Sequence, residues 1–249
     1  MDFKQNLWIP SPKSLKVEDG ETHIWRAFLE EKSLPMLALF NVLAIDEQNR
    51  ASKYLFKKDR EHFIVARGAL RMILSRYLGI QPDKICFSYN SYGKPELNIS
   101  EAGGNTLQFN VSHSGGVALY AITRAREIGI DIEYMREANA SLDVADRFFS
   151  SLEVSIIRGL PSCLQTAAFF TCWTRKEAYI KAIGMGLARS LSDFSVFILQ
   201  RSPTDSLSIN DIRLDDKWSL MTLPTEPDFM AALAVAGPIG TLRYFNWSY

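Results

Sequence analysis

Cysteine and histidine are scarce in this 249-residue chain, and each scarcity closes a route. Cysteine occurs three times, at Cys86, Cys163 and Cys172, with no CxxC or similar spacing. So sparse and odd a set builds no disulfide framework and points to a reducing compartment. Histidine also occurs three times, at His23, His62 and His113, too few for a histidine-based zinc site. No apolar run approaches the roughly 18 residues that span a bilayer. A surplus of charge is missing too: Lys+Arg and Asp+Glu stand at 28 each, so no general affinity for nucleic acid or membranes is expected. The start of the chain, with Asp2, Trp8, Pro10 and Pro12, does not read as a signal peptide, and a cytoplasmic protein is expected. Neither a P-loop nor a dinucleotide fingerprint is present, and Asn110-Val111-Ser112-His113-Ser114 is no nucleophile elbow.

What is there is a globular composition, 47% hydrophobic, long enough for one large domain or two small ones. The centre of the pattern is Ile128-Gly129-Ile130-Asp131-Ile132-Glu133. Its alternation places three isoleucines on one face of a strand and Gly129, Asp131 and Glu133 on the other. Two residues of strand separate the carboxylates by about 7 Å, close enough to repel. Such a face is either simply wet and acidic or a seat for a hard divalent cation such as Mg²⁺. Glycine on that face leaves room for a ligand to approach the backbone.

Ahead of this strand, residues 1–20 read as an extended arm and His23–Phe28 as a strand. Leu34–Ile45 reads as an apolar helical segment. Residues 46–76 turn basic, with eight Lys/Arg against four acids. Within them Arg60–Leu78 has helical period, burying Phe63, Ala66, Leu70, Leu74 and Tyr77. Arg60, Arg67 and Arg71 form a stripe beside that arc, read as solvated or, less simply, as polyanion-binding. Gly79 stops the helix. Short strands are expected at Ile85–Tyr89, Leu107–Val111 and Val117–Ile122, with a turn at Ser91-Tyr92-Gly93-Lys94-Pro95 and a small-residue turn at Ser112–Gly116. His113 in that turn is either satisfied by its serine neighbours or placed to touch phosphate beside open backbone N–H groups.

After the acidic strand, Leu142–Phe149 reads as a helix, and Ser150 with Glu153 as a capping box. A long helix spans about Gln165–Ile183, stopped by Gly184. Strands are expected at Phe194–Leu199, Trp218–Leu223, Phe229–Ala236 and Leu242–Trp247, with a surface linker at Arg201–Asp205. The order of strand, short helix, long helix, glycine and strands occurs twice, so a duplicated α/β unit with a ligand cleft between halves is expected. In the long helix, Trp173, Glu177 and Lys181 follow one slowly turning face. Glu177 and Lys181 are either a surface i,i+4 pair or a third metal ligand and a phosphate-neutralising cation.

Five stretches occur in order: Gly93-Lys94-Pro95, Phe109–Ser114, Gly129–Glu133, Arg147-Phe148-Phe149-Ser150 with Glu153, and Trp173–Lys181. Together they closely resemble the Sfp-type 4′-phosphopantetheinyl transferases over roughly residues 45–200, with the longer, cyanobacterial HetI-like members most similar. The resemblance implies an α+β monomer of two similar α/β halves, 1–125 and 126–249, with coenzyme A in the cleft and the last strand packing back on the first half. It implies Mg²⁺-dependent transfer of phosphopantetheine from coenzyme A to a serine of an apo acyl, peptidyl or aryl carrier protein, releasing adenosine 3′,5′-bisphosphate.

On matching positions, Asp131, Glu133 and Glu177 would be the Mg²⁺ ligands, and Glu177 or Glu133 the acceptor of the serine proton. Lys181 would meet the diphosphate. Gly93, Lys94 and Pro95 would border the adenine, and Ser112 and His113 would contact the nucleotide phosphates. Arg50, Lys58 and His62 would hold the 3′-phosphate. Met135–Phe149, with Arg136, Leu142, Val144, Arg147 and Phe148, would dock the carrier, although Phe148 or Phe149 should be core. The alternative of a different class is a coenzyme A-binding module without catalysis, against which the three clustered carboxylates stand.

Overall fold

The computed structural model describes residues 7–10, 12, 15–98, 107–136, 140, 142–186, 190–196, 199–201, 207–209, 212–215 and 217–249. Two compact units share them: Met1–Tyr89, Pro95–Ala125 and Gly240–Tyr249 form the first, Asn90–Lys94 and Arg126–Ile239 the second.

The first unit begins with β1 (Ile9–Pro10), β2 (Glu21–Phe28), α1 (Met36–Asn41), α2 (Ile45–Ser52) and the long α3 (Lys57–Leu78). A short hairpin of β3 (Phe87–Tyr89) and β4 (Pro95–Leu97) follows, then β5 (Leu107–Ser114) and β6 (Val117–Arg124). The second unit holds β7 (Ile128–Tyr134), α4 (Leu142–Phe148), α5 (Ser151–Arg158) and α6 (Ser162–Ile183). It continues with β8 (Leu199–Arg201), β9 (Leu207–Ile209), β10 (Ile212–Asp215), β11 (Trp218–Leu223) and β12 (Phe229–Ala236). The chain then returns to the first unit as β13 (Thr241–Asn246).

The first sheet runs β1-β13-β2-β6-β5, with β13 parallel to both of its neighbours. Its core gathers Trp25, Tyr120 and Phe245 from the strands with Leu70, Ile73 and Leu74 from α3. Ala66, Leu70 and Leu74 are buried as the period predicts, and Phe63 and Tyr77 are half-buried. Ile64, Val65 and Ala69 are buried as well. The arc is wider than the pattern suggests because α1 covers a second side of α3, close enough that a Cβ on Gly68 would stand 3.0 Å from Leu39.

The second sheet is antiparallel, β10-β11-β12-β7, and α6 packs on β7 and β12. Both long helices end on a left-handed glycine, Gly79 and Gly184, each with φ of 69°. In each case the glycine N–H returns to the helix, reaching Ser75 O and Ile180 O.

Several expectations needed correction. Leu34–Ile45 is interrupted: α1 stops at Asn41 and Ile45 opens α2. Ser112–Ser114 belong to β5 and pair with Val117–Leu119, so the turn is only Gly115-Gly116. Leu191–Asp193 is a 3-10 turn and Phe194–Val196 is not strand. Most of the expected 201–205 linker lies outside the described residues.

The arginine stripe is solvated only at its start: Arg60 is exposed, but Arg67 and Arg71 are turned to a partner. Arg67 and Arg71 both grip Glu47 of α2, at 2.5 and 2.6 Å, with Arg71 and Glu47 buried. Arg71 also donates to Pro82 O and Ile85 O, each at 2.9 Å. Hydrophobic period cannot reveal this, because the acid that neutralises the stripe comes from a neighbouring helix.

Candidate active site

Strand β7 is the edge strand of its sheet, yet Ile128–Ile132 are buried because α6 packs over it. Its isoleucine face is fully buried, and the Gly129–Asp131–Glu133 face lies under α6. Gly129 decides how close the two come. A Cβ there would stand 2.0 Å from Ala178 O and 2.4 Å from Ala182 N. The room expected for a ligand at this glycine is therefore filled by the protein's own helix.

That close approach puts Asp131, only 2% exposed, beside the last turns of α6. Lys181 Nζ donates to Asp131 Oδ1 at 2.7 Å. Glu177, one helical turn earlier, is half-buried. Burial pushes its carboxyl above the ordinary range, the charge of Asp131 pushes the same way, and Lys181 draws it back. Asp131 and Glu177 thus sense each other across the strand–helix contact, and Lys181 binds the acid on β7 rather than forming the i,i+4 pair with Glu177. Glu133 lies two residues further along the same face and is half-buried.

Three carboxylates do not converge into a ligand set: among the described residues no group of three or more His, Cys, Asp or Glu is placed to hold a metal. The chemistry of the pair Asp131–Glu177 nevertheless fits a hard divalent cation. The charge of Asp131 disfavours ionisation of the partly desolvated Glu177, and a cation shared between the two carboxylates relieves that repulsion.

The turn Asn90–Lys94 belongs to the same unit. Lys94 Nζ reaches Ala182 O at 2.9 Å and Ile128 O at 3.3 Å. Gly93 has φ of 85°, which the turn needs, and Pro95 opens β4.

The remaining expected residues are in the first unit. Lys58 and His62 both bind Glu30 Oε1, at 2.9 and 3.1 Å. They line a cavity of about 530 Å³ with Lys57, Lys32, Glu31 and Glu61. Glu30 packs against the β5–β6 turn, since a Cβ on Gly116 would lie 2.9 Å from its Oε1. His113, exposed, and Ser112, buried, are in the strand that enters this turn. Lys58 and His62 thus share one glutamate, which also lies against the β5–β6 turn. The Arg50 guanidinium lies 5.2 Å from the centroid of the Phe63 ring.

Residues 25–124 match the family model "4′-phosphopantetheinyl transferase, N-terminal", and residues 127–234 match that of the "4′-phosphopantetheinyl transferase superfamily". The 4′-phosphopantetheinyl transferase HetI of Nostoc sp. is 37% identical over 235 residues, covering 94% of this chain and 95% of its own. This chain belongs to the 4′-phosphopantetheinyl transferase family. It is of the Sfp type and HetI-like. Sfp of Bacillus subtilis is 30% identical over 197 residues, 78% of this chain and 82% of that one. The mouse L-aminoadipate-semialdehyde dehydrogenase-phosphopantetheinyl transferase is 28% identical over 217 residues, 82% and 70% of the two chains.

One feature of the transferase escaped sequence reasoning. Lys176, next to Glu177, is fully buried and pairs with Glu153 at 2.8 Å, both with no exposed side-chain surface. It also donates to Leu191 O at 2.6 Å and to Phe194 O. Glu153 meanwhile accepts from Ser150 N at 2.9 Å and Val196 N at 2.7 Å. The expected capping box is present, and it also anchors the 190–196 segment beside α6. The signal was available: Cys172, Lys176, Tyr179 and Ile180 share one face, and three of the four are core residues.

In the segment expected to dock a carrier, one of the two phenylalanines is core, as the sequence reading expects. Phe149 is core at 3% exposed, and the half-buried Phe148 meets Trp173 edge-on at 5.7 Å. Arg147 is exposed, its guanidinium 5.4 Å from the Phe148 ring. Residues 137–139 and Ser141 of this segment lie outside the described residues. No helix of the described residues is long and apolar enough to cross a membrane.

Proposed function

We propose that the transferase takes phosphopantetheine from coenzyme A and places it on a serine of an apo acyl, peptidyl or aryl carrier protein, acting as a monomer with Mg²⁺. The observation that carries this reading is the electrostatic meeting of Asp131, Glu177 and Lys181 across the β7–α6 contact. The metal would be held by Asp131 and Glu177, with Glu133 on the same strand face, and when bound it neutralises charge on the donor's diphosphate.

The protein's own groups do the rest. The carrier serine oxygen bonds to the phosphorus nearer the pantetheine while the bond from that phosphorus to the bridging oxygen breaks. Adenosine 3′,5′-bisphosphate departs with the bridging oxygen and its electrons. Glu177 or Glu133 accepts the serine proton, directly or through water. Lys181 exchanges its bond with Asp131 for one to the departing phosphate, supplying positive charge where negative charge develops. Ser112 and His113 are proposed contacts of the nucleotide phosphates, Arg50, Lys58 and His62 of the 3′-phosphate, and Gly93 and Pro95 of the adenine.

The test is to mix the protein with coenzyme A, Mg²⁺ and an apo carrier and to weigh the carrier. A gain of one phosphopantetheine is expected, abolished by EDTA and by Asp131→Ala. An unchanged carrier mass overturns the reading, and near-normal turnover by Asp131→Ala overturns the metal assignment.

A further inference from the structure

The Asn90–Lys94 turn is tied to the end of α6 by side chains. Asn90 Oδ1 accepts from the N–H of Tyr92 at 2.9 Å and of Lys94 at 3.0 Å, closing the turn on itself. Asn90 Nδ2 donates to the carbonyl of Gly184, the left-handed cap of α6, at 2.9 Å. Lys94 Nζ reaches the carbonyl of Ala182, the residue after Lys181, at 2.9 Å. The same ammonium lies 3.3 Å from the carbonyl of Ile128, the first residue of β7 and three before Asp131. The last carbonyls of a helix have no partners within it and carry its negative end, so a cation is favoured there. Here that cation bonds the neighbouring strand at the same time.

We propose that Lys94 is a positioning residue for the transfer: its ammonium clamps the end of α6 to the start of β7. The clamp fixes the spacing at which Asp131, Glu177 and Lys181 act. The inference rests on the proposed function and goes beyond it, because a residue bordering adenine acts on donor affinity, whereas a clamp acts on turnover. Misplacing reacting groups by about 1 Å costs on the order of 100-fold in rate. The backbone contact at Gly129 keeps α6 on β7 without the clamp and limits the shift to less than that.

Lys94→Met and Lys94→Arg are to be compared with the wild type in steady-state transfer, with Mg²⁺ binding measured separately by calorimetry. For Lys94→Met, kcat is expected to fall about tenfold or more with KM for coenzyme A within about twofold, and Mg²⁺ to bind more weakly. Lys94→Arg is expected to recover most of the turnover, since a guanidinium can also bond two carbonyls. A raised KM with unchanged kcat and Mg²⁺ affinity overturns the proposal and returns Lys94 to the nucleotide. Should Lys94→Met fail to fold, Asn90→Asp, which sets a carboxylate against the Gly184 carbonyl, carries the same comparison. A wild type that leaves the carrier unchanged refutes the proposed function instead.

Discussion

Burial desolvates Glu177 where α6 meets β7, and the charge of Asp131, whose own ammonium partner is Lys181, pushes the same way. Glu177 therefore holds its proton more tightly than an ordinary glutamate. A group whose folded-state pKa is raised contributes stability that is complete below its ordinary value of 4.5 and lost as pH rises through the folded value. At neutral pH the ionised Glu177 weakens the metal-free fold. Glu177→Gln is expected to melt higher than the wild type at pH 7 in EDTA while losing about 100-fold or more of its transfer rate. Calorimetry alongside the carrier assay checks both, and a melting point at or below wild type would contradict the electrostatic account. Such opposition between stability and activity is what a site built from repelling charges should show.

At the scale of elements, the site depends on how near a helix can come to a strand. Strand β7 was legible residue by residue, because strict alternation with β-branched residues has few other meanings. The role of Gly129 was not legible, because a missing side chain looks the same whether a ligand or a helix backbone takes its place. Gly129→Ala is expected to cost about 3 kcal/mol or more, since the contacts it meets are backbone atoms of α6 that cannot rotate away. Urea denaturation would register this as a lower midpoint. A variant as stable as wild type would mean that α6 does not sit where described. Both long helices were foreseen with their glycine stops, but Glu47 between Arg67 and Arg71, and Glu153 against Lys176, were not. Each pairs residues far apart in sequence, and such pairs form only when packing removes water from both partners.

For the molecule as a whole, the last strand settles the first sheet. β13 inserts between β1 and β2, so residues 241–246 complete a sheet begun at residue 9. At this seam Trp25 Nε1 donates to the Tyr77 hydroxyl at 2.7 Å, and that hydroxyl lies 2.8 Å from His23 Nδ1. On the other side of the ring, Glu21 is 3.4 Å from His23 Nε2 and pairs with Arg243 of β13. Phe245 meets the His23 ring edge-on at 5.2 Å, and Arg76 lies over Trp25. Burial depresses the His23 pKa below its ordinary 6.5, Glu21 opposes the shift, and Arg243 adds to it. With the folded pKa depressed, the unfolded chain binds more protons in that window, so this stability is complete above 6.5 and lost as pH falls through the folded value. The melting temperature is expected to fall below pH 6.5, and His23→Gln to flatten that part of the profile; parallel profiles for the two proteins would remove His23 from the account.

The sequence alone determined the composition of the elements, the two helix stops, the acidic strand and the ordered motifs that mark the family, because these rest on local period and local chemistry. Tertiary structure decided which charges meet. Lys181 chooses Asp131 over its helical neighbour, Lys94 binds the helix end, and Lys58 and His62 share Glu30. A charge's partner is set by distance and by the water removed around it, and both are fixed only when strands and helices separated in sequence are packed together.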